Sequence, residues 1–182
     1  MCVLGHVDIE LEERDAYLRY AVAKRRALGE EAEAEVGTEP TDIVVPQERL
    51  NELEIREEFI LTVTAKGFGK RTSAYEYRVA GRGGQGIANI DVSTRNGPVV
   101  TSFPVGDEDQ IMLVTNRGQL IRCPVHDIRI ARRQTQGVTV FRVDDDEEVV
   151  AVAHLSDLGE DDNGNGGEEP NDGDTPAGDN GK

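Results

Sequence analysis

Tryptophan is absent from this 182-residue chain, and four phenylalanines and four tyrosines are all its aromatic residues. With so few large apolar side chains, a packed core occupies only part of the length. Cysteine is equally scarce. Cys2 and Cys123 lie far apart, with no C-x-x-C spacing and no histidine-rich neighbours. This argues against a disulfide framework or a zinc site and suggests two reduced thiols. No apolar run approaches the roughly 20 residues that span a bilayer. Met1-Cys2-Val3-Leu4-Gly5-His6 lacks the basic start and apolar stretch of a signal peptide, so a cytoplasmic location and no membrane partner are expected. Nothing in the chain matches a nucleotide-binding fingerprint or a metal-ligand spacing, and neither a cofactor nor a catalytic residue is expected.

What the chain does have is charge, unevenly placed. The formal net charge is −16, yet residues 56–143 carry a net +5, between −8 in residues 1–55 and −13 in residues 144–182. A basic body flanked by acidic ends suits a polyanion partner, with a regulatory or solubilising tail.

Residues 8 to about 35 read as a helix, with Asp8, Glu10, Glu12 and Glu13 at its start and Lys24, Arg25 and Arg26 near Gly29. Leu11, Leu18, Val22 and Leu28 form only a thin apolar stripe, so a solvated, marginal helix is expected. A linker follows from Glu30 to Pro46, then a short helical turn at Glu48–Glu58. Beyond it the pattern changes to β-branched runs and glycine turns: Phe59–Thr64, Val99–Phe103 and Ile111–Thr115, with a last strand at Glu148–Leu155. Past Asp157, Gly, Asp, Glu, Asn and Pro dominate, the composition of a disordered tail.

An internal repeat organises the β region. Residues 60–86, ILTVTAKGFGKRTSAYEYRVAGRGGQG, superimpose on 111–137, IMLVTNRGQLIRCPVHDIRIARRQTQG, at an offset of 51. Val99-Val100 and Val149-Val150 continue the match at an offset of 50. Two such units predict an all-β fold of two propeller-like blades, 57–108 and 109–155. Residues 7–56 precede them as a helical insertion and linker, and 156–182 follow as the acidic tail. Met1-Cys2-Val3-Leu4 resembles Val152-Ala153-His154-Leu155, so residues 1–6 read as the end of a preceding blade.

Each unit carries R-x-x-x-R-x-x-x-G, from Arg78 to Gly86 and from Arg129 to Gly137. Gly83, Gly84 and Gly86 permit a tight turn with accessible backbone N–H groups, and Arg82 adds a fork of donors for phosphate oxygens. The second copy has Arg132 and Arg133 but Gln134-Thr135 in place of the glycine pair, predicting a weaker anion site. Bases that recur at matching positions point to the backbone of double-stranded DNA. The candidate contacts are Lys66, Lys70, Arg71, Arg78, Arg82, Gly83, Gly84, Gly86, Arg117, Arg122, Arg129, Arg132 and Arg133. A protein-interaction propeller with merely solvated bases is the competing reading, and a non-functional truncated remnant is a third.

The stretches FILTVTAKGFGKRTSAYEYRVAGRGGQG, RNGPVV and DQIMLVTNRGQLIRCPVHDIRIARRQTQGVTVFRV resemble the last blades of the C-terminal domain of DNA gyrase A subunits. The resemblance covers about residues 57–155. It implies a β-pinwheel whose basic rim wraps duplex DNA in support of negative supercoiling. The implied partners are the remainder of the gyrase A polypeptide and the gyrase B polypeptide, in association with the nucleoid. The related tail domain of the topoisomerase IV A polypeptide is an alternative. The family's Q-R-R-G-G-K-G-like box lies in its first blade, and only Arg82, Gly83, Gly84 and Gly86 carry over to it. Tyr17, Tyr20, Tyr75 and Tyr77 match no DNA-cleaving motif, so the chain is expected neither to cut DNA nor to bind ATP.

Overall fold

A computed structural model describes residues 3–29, 44–79 and 82–156. The expected disordered tail at 157–182 lies outside the described residues, as do most of the expected linker and the first two residues of the chain.

The repeat appears as two antiparallel sheets with matching geometry. In the first, β1 (Phe59–Thr64) pairs with β2 (Phe68–Ser73) and with β3 (Val99–Val105). In the second, β4 (Gln110–Thr115) pairs with β5 (Leu120–Pro124) and with β7 (Val149–Leu155). Even the register irregularity recurs, between Val63 and Thr64 in β1 and between Val114 and Thr115 in β4. Each second strand runs into a single 3-10 turn, Ala74–Glu76 or Val125–Asp127.

The two units are interlocked. The first sheet has the order β3-β1-β2-β6, where β6 is the two-residue strand Val138–Thr139 from the second repeat. The chain between the second 3-10 turn and β6 runs along β2. Arg71 N–H donates to Arg129 O, and Ala131 N–H donates to Arg71 O. Gly67 is the tightest point of this seam: with φ +73°, its carbonyl accepts the N–H groups of Val140 and Phe141. A Cβ there would lie 2.1 Å from Phe141 O, so only glycine fits. The second sheet has the order β5-β4-β7, and no strand pairs with the outer edge of β5 among the described residues.

One apolar cluster draws on both sheets: Leu61, Val63 and Val105 from the first, Ile111, Leu113 and Val149 from the second, with Val125 and Ile128 between them. At roughly 25 cal/mol per Å² of apolar surface removed from water, burying such side chains is the main favourable term for the fold.

The helical segment is shorter and better packed than the sequence pattern suggests. Helix α1 spans Leu11–Ala27, and α2 spans Gln47–Ile55. Leu11 and Leu28, counted in the apolar stripe, are exposed. The buried residues are Tyr17, at 1% exposure, and Ala21, one turn apart and packed with Leu50, Leu53 and Tyr75. A stripe drawn from leucine and valine alone misses both. Tyr17 meets Tyr75 edge to face, with ring centres 5.3 Å apart, and its hydroxyl donates to Glu57 Oε2 at 2.8 Å. Tyr75 Oη in turn donates to Leu53 O at 2.9 Å, which ties α2 to the first repeat. Burial and the nearby Glu57 carboxylate push the Tyr17 phenol far above its usual range, and the same causes raise Tyr75 to about 12. Residues 3–6 form no strand; Gly5 N–H donates to Glu58 instead.

Candidate nucleic-acid interface

Strand β2 is buried on nearly its whole length, between β1 in the sheet and the returning segment on its other edge. Two of the candidate bases are therefore turned inward. Lys70 has 0% exposure; its ammonium donates to Arg132 O at 2.5 Å, Arg133 O at 2.8 Å and Thr135 O at 3.3 Å. A charge so enclosed does not reach a phosphate. It fastens the loop that carries Arg132 and Arg133 to the sheet. Arg71 is 6% exposed, with Nε donating to Ile128 O at 2.5 Å, Nη2 to His126 O at 3.2 Å, and Nη1 paired with Asp107. Both side chains spend their donors on carbonyls of the loops packed against β2. Strand alternation alone does not show this, because the covering chain is some 60 residues away in sequence.

Outward-facing bases gather on the loops that follow β2 and the second 3-10 turn. Arg78 and Arg82 are exposed and have no charged partner among the described residues. Gly83, Gly84 and Gly86 are exposed beside them. Gly83 adopts φ +76° with open space around its Cα, so its backbone is accessible as well as turned. Arg133 is held more firmly: Nη1 donates to Ala88 O at 2.9 Å, and its guanidinium lies 5.7 Å from the Tyr77 ring centre. Its backbone N–H donates to Glu76 Oε2 at 3.0 Å. Burial raises the Glu76 carboxyl above its usual range, against the opposing pull of the Arg133 N–H and the nearby cations. Burial likewise lifts the Tyr77 phenol to about 12. Arg129 and Arg132 are half-buried on the same loop. Arg14 of α1, Arg78, Gly86 and Arg133 line one groove of about 330 Å³, with Glu76 at its side.

A second basic group lies at the β1–β2 turn. Lys66 is exposed and donates to Thr94 O at 2.6 Å, and Arg95 stacks 5.1 Å from the Phe68 ring centre. Arg142 is exposed just past Phe141, whose backbone lies against Gly67. Arg142 does not emerge from the repeat, because the first unit has Asp91-Val92 at the matching place, and Arg95 does not because the second unit has Asp144–Asp146 where the first has Thr94–Asn96. That substitution has a consequence at the equivalent turn. Arg117, the counterpart of Lys66, is paired with Asp144 at 3.7 Å and with Asp146. Arg122 is exposed on β5, its Nε donating to Gln110 Oε1.

Among the described residues no group of three His, Cys, Asp or Glu is placed to hold a metal ion, and no helix is long and apolar enough to cross a membrane. Cys123 is a free, half-buried thiol pushed up by burial and by Asp127. Chemically the site is a set of guanidinium forks on accessible turns.

The family model for the DNA gyrase C-terminal domain, a β-propeller, matches residues 58–105 and 109–156. The chain belongs to this family. Its two matched blocks correspond to the two repeats, and their limits fall within a residue or two of β1, β3, β4 and β7. The DNA gyrase A protein of Granulibacter bethesdensis is 56% identical over 84% of this chain, and that of Rickettsia bellii is 44% identical over 88%. The chain spans 17% and 18% of the length of these two relatives. A solved structure of a DNA gyrase A C-terminal domain superimposes with a TM-score of 0.51 at 24% identity, over 55% of this chain and 34% of that one. The gyrase-type fold is thus an all-β pair of pinwheel or propeller units, with two short helices before it.

Proposed function

We propose that this chain is a duplex-DNA-binding portion of a DNA gyrase A polypeptide. In this reading its two blades form part of a surface around which DNA wraps, in support of negative supercoiling with the remainder of that polypeptide and with the gyrase B polypeptide. The observation that carries the reading is the exposure of Arg78, Arg82 and Lys66, with Arg133 beside them, on turns of a gyrase-type domain. Guanidinium forks and ammonium groups spread over turns suit phosphate oxygens, and phosphate contacts carry no sequence information, so binding is weakly sequence-dependent. Duplex is favoured over single-stranded DNA because the aromatic faces nearby are engaged: Tyr75 is buried, Tyr77 lies under Arg133, and Phe68 under Arg95.

Labelled duplex titrated at several salt concentrations tests the binding. Log affinity falls with log salt at a slope of about −0.9 per phosphate neutralised. Wrapping is tested separately by ligating a nicked plasmid in the presence of the chain and then removing protein. A shifted topoisomer distribution supports wrapping, and an unshifted one reduces the role to simple backbone contact.

A further inference from the structure

The groove beside the repeats contains an arginine that neither repeat supplies. Arg14 lies on α1, three residues before Tyr17 and therefore beside it on the helix surface. Tyr17 is pinned by Glu57 and by the Tyr75 ring, so Arg14 is held at a fixed place against the first repeat. Arg78 comes from the loop after β2 and Arg133 from the second repeat, so three guanidinium groups from three parts of the fold line one polar cleft of about 330 Å³.

We propose that Arg14 makes α1 part of the DNA interface: with Arg78 and Arg133 it seats one backbone phosphodiester at the junction of the helices and the two repeats. The proposal rests on the DNA-binding reading above. Arg14 directs Nε and Nη2 to Asp15, at 3.2 and 3.0 Å, and its Nη1 has no partner among the described residues. Arg133 is already oriented by Ala88 O and the Tyr77 ring, so little side-chain freedom is lost when it meets an anion. Among the described residues Glu76 is the one acid lining the cleft, and one of its oxygens already accepts the Arg133 N–H. The three guanidinium groups outnumber that carboxylate and the neighbouring Asp15, so the cleft favours an anion. Gly86 leaves the mouth unobstructed: a Cβ there would meet nothing within 4 Å.

The test uses the full chain, labelled duplex DNA and fluorescence anisotropy over a range of salt. Arg14→Ala is compared with Arg56→Ala, which removes the same charge from the exposed end of α2, outside the cleft. The expected result is a roughly three- to tenfold loss of affinity for Arg14→Ala at low salt, with the salt slope reduced by about 0.9. Arg14→Lys, which has the charge without the fork, recovers part of the loss. Amide exchange on the unaltered chain gives a second readout, in which duplex DNA slows exchange along α1. Equal behaviour of Arg14→Ala and Arg56→Ala, or no change in α1 exchange on binding, overturns the proposal and leaves the DNA-binding reading standing. Failure of the unaltered chain to bind duplex DNA rejects that reading, and the proposal with it.

Discussion

Arg71 and Arg122 hold the same register position in the two repeats, opposite Leu61 in one and Met112 in the other, yet Arg71 is buried and Arg122 is exposed. The strands themselves are equivalent. What differs is the outer edge: β2 is covered by the returning segment through Ile130 and β6, whereas no described strand pairs with the outer edge of β5. A guanidinium beside a covered edge is enclosed and takes backbone carbonyls as partners. One on an open edge stays in water.

An open edge with Leu120 65% exposed is a template for another strand. The chain is expected to self-associate with rising concentration, and Leu120→Lys to shift it toward monomer. Because Leu120 is a surface residue, its replacement changes stability by no more than about 0.5 kcal/mol. Sedimentation velocity over a concentration series checks this. A monomer at all concentrations in the unaltered chain removes the edge as an association site.

Lys70→Met retains much of the side-chain volume but leaves the carbonyls of Arg132, Arg133 and Thr135 without their shared donor. Arg132 O still accepts the Thr135 N–H and hydroxyl, and Thr135 O the Asp91 N–H, so only Arg133 O loses its sole donor among the described residues. A loss of about 1–3 kcal/mol is expected in urea unfolding. Exchange of amides around residues 132–135 rises more than exchange in β4. A stability change under about 1 kcal/mol contradicts the anchoring role.

Glu76 gives the fold a pH dependence of definite sign. Its folded-state carboxyl is raised above the ordinary 4.5 by burial, so the folded chain holds this proton more tightly than the unfolded chain. Its contribution is most favourable below the ordinary value and is lost as pH rises through the raised one. Glu76→Gln retains an oxygen to accept the Arg133 N–H and removes the ionisation. The variant is expected to gain stability relative to the unaltered chain toward neutral pH, and little or none in acid. Thermal unfolding at a series of pH values reads the difference, and a constant offset between the two chains rejects the cause.

Much of the β architecture was legible because the chain repeats itself. The offset of 51 pairs β1 with β4 and β2 with β5, and the β-branched runs end close to the observed strands. The third strand extends two residues beyond Phe103, to Val105, through Pro104, which period-two alternation does not anticipate. The interlocking strand was not legible: β6 is two residues long, too short to show a period. Without it, nothing marks Lys70 and Arg71 as buried, since their enclosure comes from chain distant in sequence. The site divides in the same way. Arg78, Arg82 and Arg133 stand out by recurrence, whereas Arg95 is hidden by having an acidic counterpart, and Arg14 by lying outside the repeat altogether.

That acidic counterpart sets the last prediction. Lys66 and Arg117 open equivalent turns, but only Arg117 is met by carboxylates, those of Asp144 and Asp146. Arg117 and both acids remain substantially exposed, so the pairing contributes little to stability, at most about 1 kcal/mol. Its larger effect is on the field at the rim, where two negative charges cancel the base that a phosphate would otherwise meet. Asp144→Asn with Asp146→Asn is therefore expected to leave thermal unfolding nearly unchanged. DNA affinity at low salt rises, and the salt slope steepens by about 0.9 as one more phosphate is engaged. Adding Arg117→Ala to the double variant returns the slope to its starting value. If that third change has no effect, the gain comes from lower overall negative charge rather than from a released Arg117, and the two repeats do not differ in the way their turns suggest.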